Sequence, residues 1–370
     1  MSNIKSKREP LFHISRNDYM PVWQGLLIRV AAVVVALIIV GFLSVLLIKE
    51  NPFRIYGALF KGAFIDNLTM LQNTALLLMF GLAIVPAFRM KYWNMGANGQ
   101  VLIGCLAAIA VMKFLPQKIS NISNWLLIFL MFVASFIASI LWTVLPAIFK
   151  AFFNTNETLF TLMMNYIALA TVNYFVFCWD KSGSGNIGIV NLTTGRLGWF
   201  PDIGNKYILS IIVALVMAVF MFIYMRFTKH GFEVQMVGES VNTAKYIGLN
   251  VKKVIVRTLL LNGLLCGIIG ALYASNISHT INSEVGGLGF TAILIAWLAN
   301  FNPLIMIGTA YFVEFIDCGA KNVSVVFQLG SNDYANIVIG IIFFCVIGCE
   351  FFIRYSIKPN KSRHNKKEGI

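Results

Sequence analysis

The side chains best suited to bind a small polar solute lie at the start of the third apolar segment. Asn94, Asn98 and Gln100 fall in the run Tyr-Trp-Asn-Met-Gly-Ala-Asn-Gly-Gln, which also contains two glycines. An amide group offers both a donor and an acceptor, which suits a neutral solute. The glycines predict non-helical backbone at membrane depth, which is tolerated where protein or a water-filled cavity surrounds it. The alternative is a capped helix start, in which Asn94 or Asn98 holds the first amides.

A second intramembrane amide, Asn165, lies in the fifth apolar segment. At helical spacing it lies close to the same face as Glu157 and Thr161. Polar groups at membrane depth are costly, so Asn165 is a candidate for lining the solute pathway. The alternative is a hydrogen bond between helices, which contributes about 0.6 kcal/mol on average. Glu157 is near the end of the segment, where we expect it to cap the helix or contact a partner.

Two carboxylates, Glu314 and Asp317, lie three residues apart in the ninth apolar segment. That spacing places them on one face of a helix. Carboxylates inside a membrane are typical of proton relays. They therefore keep open an ion-coupled secondary transporter as an alternative function.

A long polar insert spans residues 228–253 and connects two apolar segments. It is the longest such insert on the predicted cytoplasmic side. Its pattern predicts a short helix with Asn242, Thr243 and Lys245 on one side and Ala244, Ile247 and Gly248 on the other. We interpret the insert as a docking surface for a partner protein; a solvated helical connector is the alternative. The candidate docking residues are Gly238, Glu239, Asn242, Ala244, Lys245 and Gly248.

Composition excludes several other classes of protein. A mean hydropathy of +0.78, with 58% hydrophobic and 12% charged residues, is incompatible with an ordinary soluble domain. The net charge of +14 comes from basic residues between the apolar segments, where lipid headgroups are the expected neighbours and nucleic acid is not. The sequence has no P-loop motif, no catalytic triad and no metal-ligand spacing. We therefore predict no catalytic residues, no metal and no cofactor bound by the chain.

The fold class is an all-α polytopic membrane protein with about ten transmembrane helices. Basic residues concentrate in alternate connections, which predicts a cytoplasmic location for both termini and for the insert 228–253. We expect a cytoplasmic N-terminal segment at 1–25, a transmembrane domain at 26–356 and a basic cytoplasmic tail at 357–370. The ten apolar segments are 26–48, 68–88, 97–115, 125–150, 157–178, 206–227, 254–275, 286–300, 303–320 and 335–356.

Four stretches, in order along the chain, together resemble one family of transport proteins. The run 92–100 with Ile103-Gly104 resembles a signature of bacterial ABC-importer permeases of the branched-chain amino acid, ribose and simple-sugar type. The run 161–168, Thr-Leu-Met-Met-Asn-Tyr-Ile-Ala, is similar to a motif of the nucleoside and simple-sugar branch. The segment 231–251 looks like the family's coupling loop, and Gly289-Phe290 with Asn302-Pro303-Leu304 adds a fourth match.

The resemblance implies a permease subunit of an ABC importer that conducts a nucleoside or simple sugar across the bacterial cytoplasmic membrane. It implies a cytoplasmic P-loop ATPase that binds the coupling loop and uses the ATP, and a second permease subunit of the same or a sister chain. It also implies an extracytoplasmic solute-binding protein or lipoprotein that delivers the solute. One departure stands out, since Asn98 occupies a position where the family usually has Glu. This removes a charge near the expected pathway.

Overall fold

The chain folds almost entirely into helices. The structure is a computed structural model that describes residues 12–16, 21–65, 67–119, 121–180, 187–193, 195–201, 204–281, 288–329 and 333–359. The helices are α1 (Val22–Ile48), α2 (Pro52–Ile65), α3 (Asn67–Arg89), α4 (Ala97–Lys118), α5 (Asn124–Phe153), α6 (Glu157–Trp179), α7 (Ile208–Phe227), α8 (Lys229–Glu239), α9 (Val241–Tyr246), α10 (Val251–Leu272), α11 (Leu288–Leu298), α12 (Pro303–Val326) and α13 (Asp333–Arg354).

All ten predicted apolar segments coincide with helices, and in the described part of the chain eight of them are long and apolar enough to cross a membrane. These eight are α1, α3, α4, α5, α6, α7, α10 with its π-helical extension Tyr273–Ile277, and α12. The predictions at 286–300 and 335–356 correspond to the shorter apolar stretches Leu288–Leu298 and Asp333–Cys349. Eleven helical residues rise about 16 Å, whereas the hydrocarbon core is about 30 Å thick.

The chain divides into two compact units. The first comprises 1–62 and 319–370, and the second comprises 63–318. In the first unit α1 packs against α13, and the hydroxyls of Ser44 and Tyr334 lie 2.6 Å apart in a buried hydrogen bond. Asn322 donates from Nδ2 to the carbonyl oxygen of Ala58 at 2.8 Å, which holds the end of α12 against α2.

Two short strands in the first unit depart from the all-α expectation. β1 (Phe12–Arg16) pairs antiparallel with β2 (Tyr355–Pro359), with Phe12 opposite Pro359. Only these parts of the predicted terminal segments, together with 21–25, are described. The rest of 1–25 and the tail from residue 360 onward lie outside the described residues.

The core of the second unit is formed by α3, α4 and α10, which are the most buried spans of the unit. α10 packs against α3, α4 and α5, while α3 also contacts α7 and α11. Gly263 and Gly267, four residues apart on α10, allow that helix to approach α5 closely. A Cβ on Gly263 would lie 2.9 Å from Thr143 Oγ1, and one on Gly267 would lie 2.9 Å from a ring carbon of Phe136. Both neighbours belong to α5, so small residues bring α10 onto α5.

Candidate functional site

The backbone between α3 and α4 is non-helical as far as Gly96, whereas Gly99 lies in α4, so the prediction from the two glycines holds only for the first part of the run. α3 ends at Arg89, Lys91 has a positive φ of 59°, and the helix resumes at Ala97. The amide of Tyr92 donates to the carbonyl oxygen of Ala87 at 2.9 Å, which anchors the loop to the end of α3. We call residues 91–96 the entry loop. It carries Asn94, the first of the predicted pathway residues.

Asn94 is fully buried and holds the entry loop in place. Its Oδ1 accepts the Gly96 amide at 2.9 Å, just before the first residue of α4. Its Nδ2 donates to Asn262 Oδ1 at 3.2 Å and to Gln100 Oε1 at 3.4 Å. A buried amide with these partners fixes the local backbone, because leaving any of them unpaired would cost free energy. Because Gly96 precedes α4 and that helix has no side-chain cap, Asn94 anchors the entry loop and does not hold the first amides of the helix.

Asn165 binds the other side of the same loop. Its Oδ1 accepts the Gly99 amide at 2.7 Å, and its Nδ2 donates to the Met95 carbonyl oxygen at 2.5 Å. Thr161, one turn earlier on α6, accepts the Met95 amide at 3.1 Å. A Cβ on Gly99 would approach Asn165 Oδ1 to 2.7 Å, so only glycine permits this contact. The side-chain amide of Asn165 thus forms hydrogen bonds from α6 to the entry loop and to α4. Such bonding between elements is the alternative to lining the solute pathway.

Gln100 and Asn262 complete the polar cluster on the α10 side. Gln100 is 2% exposed, and its Oε1 accepts from Cys266 Sγ at 3.4 Å. The carbonyl oxygen of Gln100 accepts from Ser139 Oγ at 2.8 Å. Asn262 Nδ2 donates to the Ala83 carbonyl oxygen at 2.7 Å. Asn262 was not among the predicted site residues, although an asparagine inside an apolar segment is the signal that could have identified it.

Asn98 differs from the other three predicted pathway residues. Its Oδ1 is enclosed by protein and has no hydrogen-bond partner among the residues that the structure describes. Its Cβ lies 2.8 Å from the position that a Cβ on Gly289 would take, so Asn98 lies against the start of α11. An enclosed carbonyl oxygen without a partner is costly unless something else supplies a donor. Among the four amides, Asn98 therefore has unused capacity to bind a solute.

The insert 228–253 contains two helices, α8 and α9. The hydroxyl of Thr228 caps α8 by accepting the Gly231 amide at 3.1 Å. His230 is buried and lies 2.7 Å from the hydroxyl of Tyr224, measured to its Nδ1. Burial lowers the pKa of His230, with Arg257 adding to the effect, so the ring is neutral at pH 7. α8 therefore packs against α7 and α10, the helices before and after the insert, unlike a solvated connector.

Gly238, near the end of α8, lies directly against the backbone at the end of α3. A Cβ at this position would overlap the carbonyl oxygen of Arg89 and lie 3.2 Å from Met90 Cα. Backbone atoms cannot rotate away, so a side chain at 238 requires α8 to move. The close approach couples the position of α8 to the residues that lead into the entry loop.

α9 is short and bounded at both ends by local hydrogen bonds. Ser240 Oγ accepts the Thr243 amide at 3.2 Å, and Gly248 has a φ of +85° in the turn after α9. Asn250 then caps α10 by accepting the Lys253 amide at 3.2 Å. Gly248 thus occupies a left-handed position that other residues rarely adopt.

The predicted faces of this helix are partly confirmed. Ala244 is fully buried, and Asn242, Thr243 and Lys245 are exposed. Ile247 and Gly248, predicted on the same side as Ala244, lie beyond the end of the helix, and both are exposed. The physical reason is that α9 ends at Tyr246, so the helical period does not continue through the next two residues.

Sequence reasoning also missed the most prominent side chain of the insert. Tyr246 is 91% exposed, and Val241, at the other end of α9, is 45% exposed. With Ile247 they are the exposed apolar residues of this segment, and we call the three residues the apolar tip. Among the predicted docking residues, Glu239 is also exposed, while Gly238 is buried. The apolar tip and the exposed polar residues around it are accessible to another protein.

The two carboxylates in α12 have different surroundings. Glu314 is 2% exposed, and its Oε1 accepts from Cys318 Sγ at 3.5 Å. Asp317 is half-buried. Glu157, the other predicted carboxylate, forms an ion pair with Lys150 at 2.7 Å. No group of three or more potential metal-ligating residues occurs in the part of the chain that the structure describes.

The comparisons with known proteins identify the class to which this fold and site belong. Residues 64–347 match the family described as branched-chain amino acid transport system / permease component, and the chain belongs to this family. The match includes the entry loop, Asn165 and the insert with α8 and α9. The chain is therefore an ABC transporter permease component, a multi-pass membrane subunit that has no catalytic function of its own.

Several curated relatives are similar over most of their length. The guanosine ABC transporter permease protein NupP of Bacillus subtilis is 30% identical over 83% of this chain and 89% of its own length. The nucleoside ABC transporter permease protein NupB of Lactococcus lactis is 24% identical over 77% and 81%. The glucose ABC transporter permease protein TsgB13 of Haloferax volcanii is 26% identical over 91% of both chains. No solved structure matches the chain significantly.

Proposed function

We propose that this chain forms the translocation pathway for a nucleoside or simple sugar in an ABC importer. The observation that carries the proposal is the similarity to permeases for guanosine, nucleosides and glucose over more than three quarters of the chain. Asn98 supports a neutral polar solute, because its enclosed Oδ1 could accept a hydrogen bond from a hydroxyl or an amine. Within this range we favour a nucleoside.

The partners follow from the same assignment. A separate cytoplasmic P-loop ATPase binds the tip formed by Val241, Tyr246 and Ile247, and uses the ATP. Exposed apolar side chains on a polar connection are typical of a protein interface, and an aromatic residue at its centre commonly contributes much of the affinity. A second permease subunit, the same or a sister chain, and an extracytoplasmic solute-binding protein or lipoprotein complete the transporter.

The orientation belongs to this proposal as well. Both termini and the insert face the cytoplasm, and the membrane is the bacterial cytoplasmic membrane. The pairing of β1 with β2 supports a common side for the two ends, since strands that share hydrogen bonds lie on the same side of a bilayer. The excess of basic residues in the same connections supports the cytoplasmic side.

Purification of the tagged full chain from its native membranes in mild detergent tests the assembly. We expect a P-loop ATPase in near-stoichiometric amount, identified by mass spectrometry, and a Tyr246→Ala variant that recovers much less of it. Cells that lack the chain should lose uptake of radiolabelled guanosine, with glucose as the comparison solute. Recovery of the folded chain without an ATPase would contradict the proposal.

The second candidate function, an ion-coupled secondary transporter, depends on Glu314 and Asp317. Burial of Glu314 is the observation that favours it, because a buried carboxylate is a common proton site in carriers. A Glu314→Gln variant with full uptake would eliminate this candidate. Uptake by the purified chain alone in proteoliposomes, driven by a proton gradient, would instead establish it.

A further inference from the structure

The exposed face of α6 carries polar side chains along a single line. Successive spacings of three and four residues place its members on one side of the helix, and all of them are exposed: Met163, Tyr166, Ala170, Asn173 and Phe177. We call these five residues the α6 stripe. The opposite side of α6 packs mainly against α4. The stripe therefore faces the surroundings of the second unit and not its core.

The spans α5 and α7 have exposed faces of a different kind. Every exposed side chain of α5 is apolar, and so is every exposed side chain of α7 from Ile208 to Ile223. Such faces suit lipid tails, which are as apolar as leucine. On the α6 stripe, by contrast, Tyr166 is 60% exposed and Asn173 is also exposed. Lipid alone therefore does not match this face of α6.

Both polar residues of the stripe lie at membrane depth. α6 has 23 residues, and Ala168 is in its middle. With a rise of about 1.5 Å per residue, Tyr166 is about 3 Å and Asn173 about 8 Å from the middle of the helix. The hydrocarbon core extends about 15 Å to either side of the bilayer centre. The short side chain of Asn173 does not reach the headgroup region from there.

The polar groups of the stripe are not used inside the chain. Thr161 and Asn165 of the same helix form hydrogen bonds with the entry loop and α4. The side chains of Tyr166 and Asn173 form no hydrogen bond with any residue that the structure describes. Hydroxyl and amide groups without partners are costly in hydrocarbon. The complete transporter must therefore place water, solute or protein against them.

The sizes of the side chains favour a solute over a directly packed helix. Helices that pack together in membranes use small residues, which let their backbones approach closely. Within the stripe Ala170 is the only small residue, whereas Met163, Tyr166 and Phe177 are large and project outward. Large side chains that carry hydroxyl and amide groups suit the wall of a space better than a close contact between two backbones.

We propose that the α6 stripe lines the translocation pathway and binds a solute that has both hydroxyl groups and an aromatic ring. The hydroxyl of Tyr166 and the amide of Asn173 each donate and accept hydrogen bonds, which suits uncharged hydroxyl groups and ring nitrogens. The rings of Tyr166 and Phe177 can stack on an aromatic ring. A nucleoside has both kinds of group, whereas a simple sugar has only the hydroxyls. This inference rests on the proposed function and narrows it to the nucleoside.

Thiol labelling of the transporter in native membranes tests whether the stripe faces water. Tyr166→Cys and Asn173→Cys are made in a chain with Cys178→Ser, because Cys178 is an exposed free cysteine of the same helix. A thiol reacts as its thiolate, which needs water, so a water-soluble methanethiosulfonate should modify both positions about tenfold faster than the controls. The matched controls are Leu141→Cys in α5 and Val216→Cys in α7, which are 66% and 62% exposed on apolar faces.

Uptake of radiolabelled guanosine tests whether the stripe binds the solute. We expect Asn173→Leu to lower uptake at low guanosine concentration about tenfold, because a polar contact with the solute is lost, and Asn173→Gln to retain most of it. Tyr166→Phe keeps the ring and should lower uptake less than Tyr166→Leu, which removes it. The thermal midpoint of Asn173→Leu should not fall, since this side chain has no hydrogen-bond partner among the described residues.

Three results would overturn the proposal. The first is labelling of Tyr166→Cys and Asn173→Cys at the rate of the controls. The second is a disulfide between two copies of the Asn173→Cys chain in place of labelling, which would make the stripe an interface between subunits. The third is unchanged guanosine uptake in Asn173→Leu and Tyr166→Leu.

Failure of the proposed function gives a different result. Cells that lack the chain would then keep their uptake of guanosine and of glucose, whatever the labelling shows. Labelling of the stripe in such cells after the chain is restored would still assign the stripe to a water-filled pathway. Only the nucleoside assignment would be overturned in that case.

Discussion

Replacing Gly238 with alanine is the most direct test of how the insert is held to the membrane helices. The added Cβ would overlap the carbonyl oxygen of Arg89 and crowd its carbonyl carbon at 3.1 Å. Both atoms belong to the backbone at the end of α3, so no side-chain rotation relieves the clash. α8 must move outward or lose its contact with α3. We therefore expect the variant to fold with its spans intact and with a loosened α8.

The expected magnitude combines two opposing effects. Overpacking of a close contact costs about 1–3 kcal/mol. Alanine in a helix is favoured over glycine by about 0.5–1 kcal/mol, which offsets part of that cost. A net loss of about 1–2 kcal/mol would reduce the ratio of docked to undocked α8 by a factor of about 5–30.

Hydrogen exchange of the full chain in nanodiscs measures this ratio directly. Amides of α8 should exchange about 5–30 times faster in Gly238→Ala, while those in the middle of α3 and α10 should be unchanged. Gly308→Ala is the matched control, because a Cβ at 308 meets nothing within 4 Å and belongs to another helix. In the assembled transporter, the Gly238 variant should show ATP hydrolysis that is less dependent on solute.

Two results would refute the reasoning. If α8 in Gly238→Ala exchanges at the rate of the parent chain, the close approach to Arg89 is not a constraint on its position. If α8 is loosened but solute-stimulated hydrolysis and uptake are unchanged, the docking of α8 is not needed for coupling.

Three further predictions concern the same structure. Asn165→Ala should lower the free energy of unfolding by about 1–2 kcal/mol, because two hydrogen bonds are lost, one to Met95 in the entry loop and one to Gly99 in the first turn of α4. Thermal unfolding measures this loss against Thr171→Ala, which removes an exposed hydroxyl on the same helix, and equal midpoints would contradict it. Tyr246→Ala should leave the thermal midpoint unchanged but weaken ATPase recovery, since the side chain is 91% exposed; a large loss of stability would show that it packs internally. Acidification should loosen α8, because burial lowers the pKa of His230. The stability that the neutral ring contributes to α8 is fully present above about pH 6.5 and is lost as the pH falls through the pKa of the folded protein. Hydrogen exchange of the α8 amides in His230→Gln should lack that pH dependence.

The membrane helices could be predicted from sequence because their signal is local and strong. Segments such as 68–88 and 157–178 agree with α3 and α6 within one residue at each end. α11 shows the limit of this signal, because its described helix has only eleven residues. An apolar run indicates burial in lipid or protein, whereas crossing a membrane also requires a sufficient length of helix. α2 was not predicted, since a helix with exposed Phe53 and Phe60 and buried Ile55 and Leu59 lacks a continuous apolar run.

The polar residues predicted for the site belong to one hydrogen-bonded region, but their roles depend on partners distant in the sequence. Asn94 and Asn262 are separated by 168 residues and lie 3.2 Å apart. The sequence could not indicate that Asn165 holds Gly99 while the Oδ1 of Asn98 has no partner among the described residues. The two asparagines look alike in a motif, because their difference arises from which helix packs beside each of them.

The sequence by itself determined the membrane class, the positions of the spans and the existence of a structured insert, since hydropathy, capping residues and helical period act over a few turns. Only the tertiary structure decided which amides bond to one another and that α9 ends at Tyr246. Hydrogen bonds and cavities form where several helices meet. Their geometry is fixed by packing between segments far apart in the chain, and no local pattern contains that information.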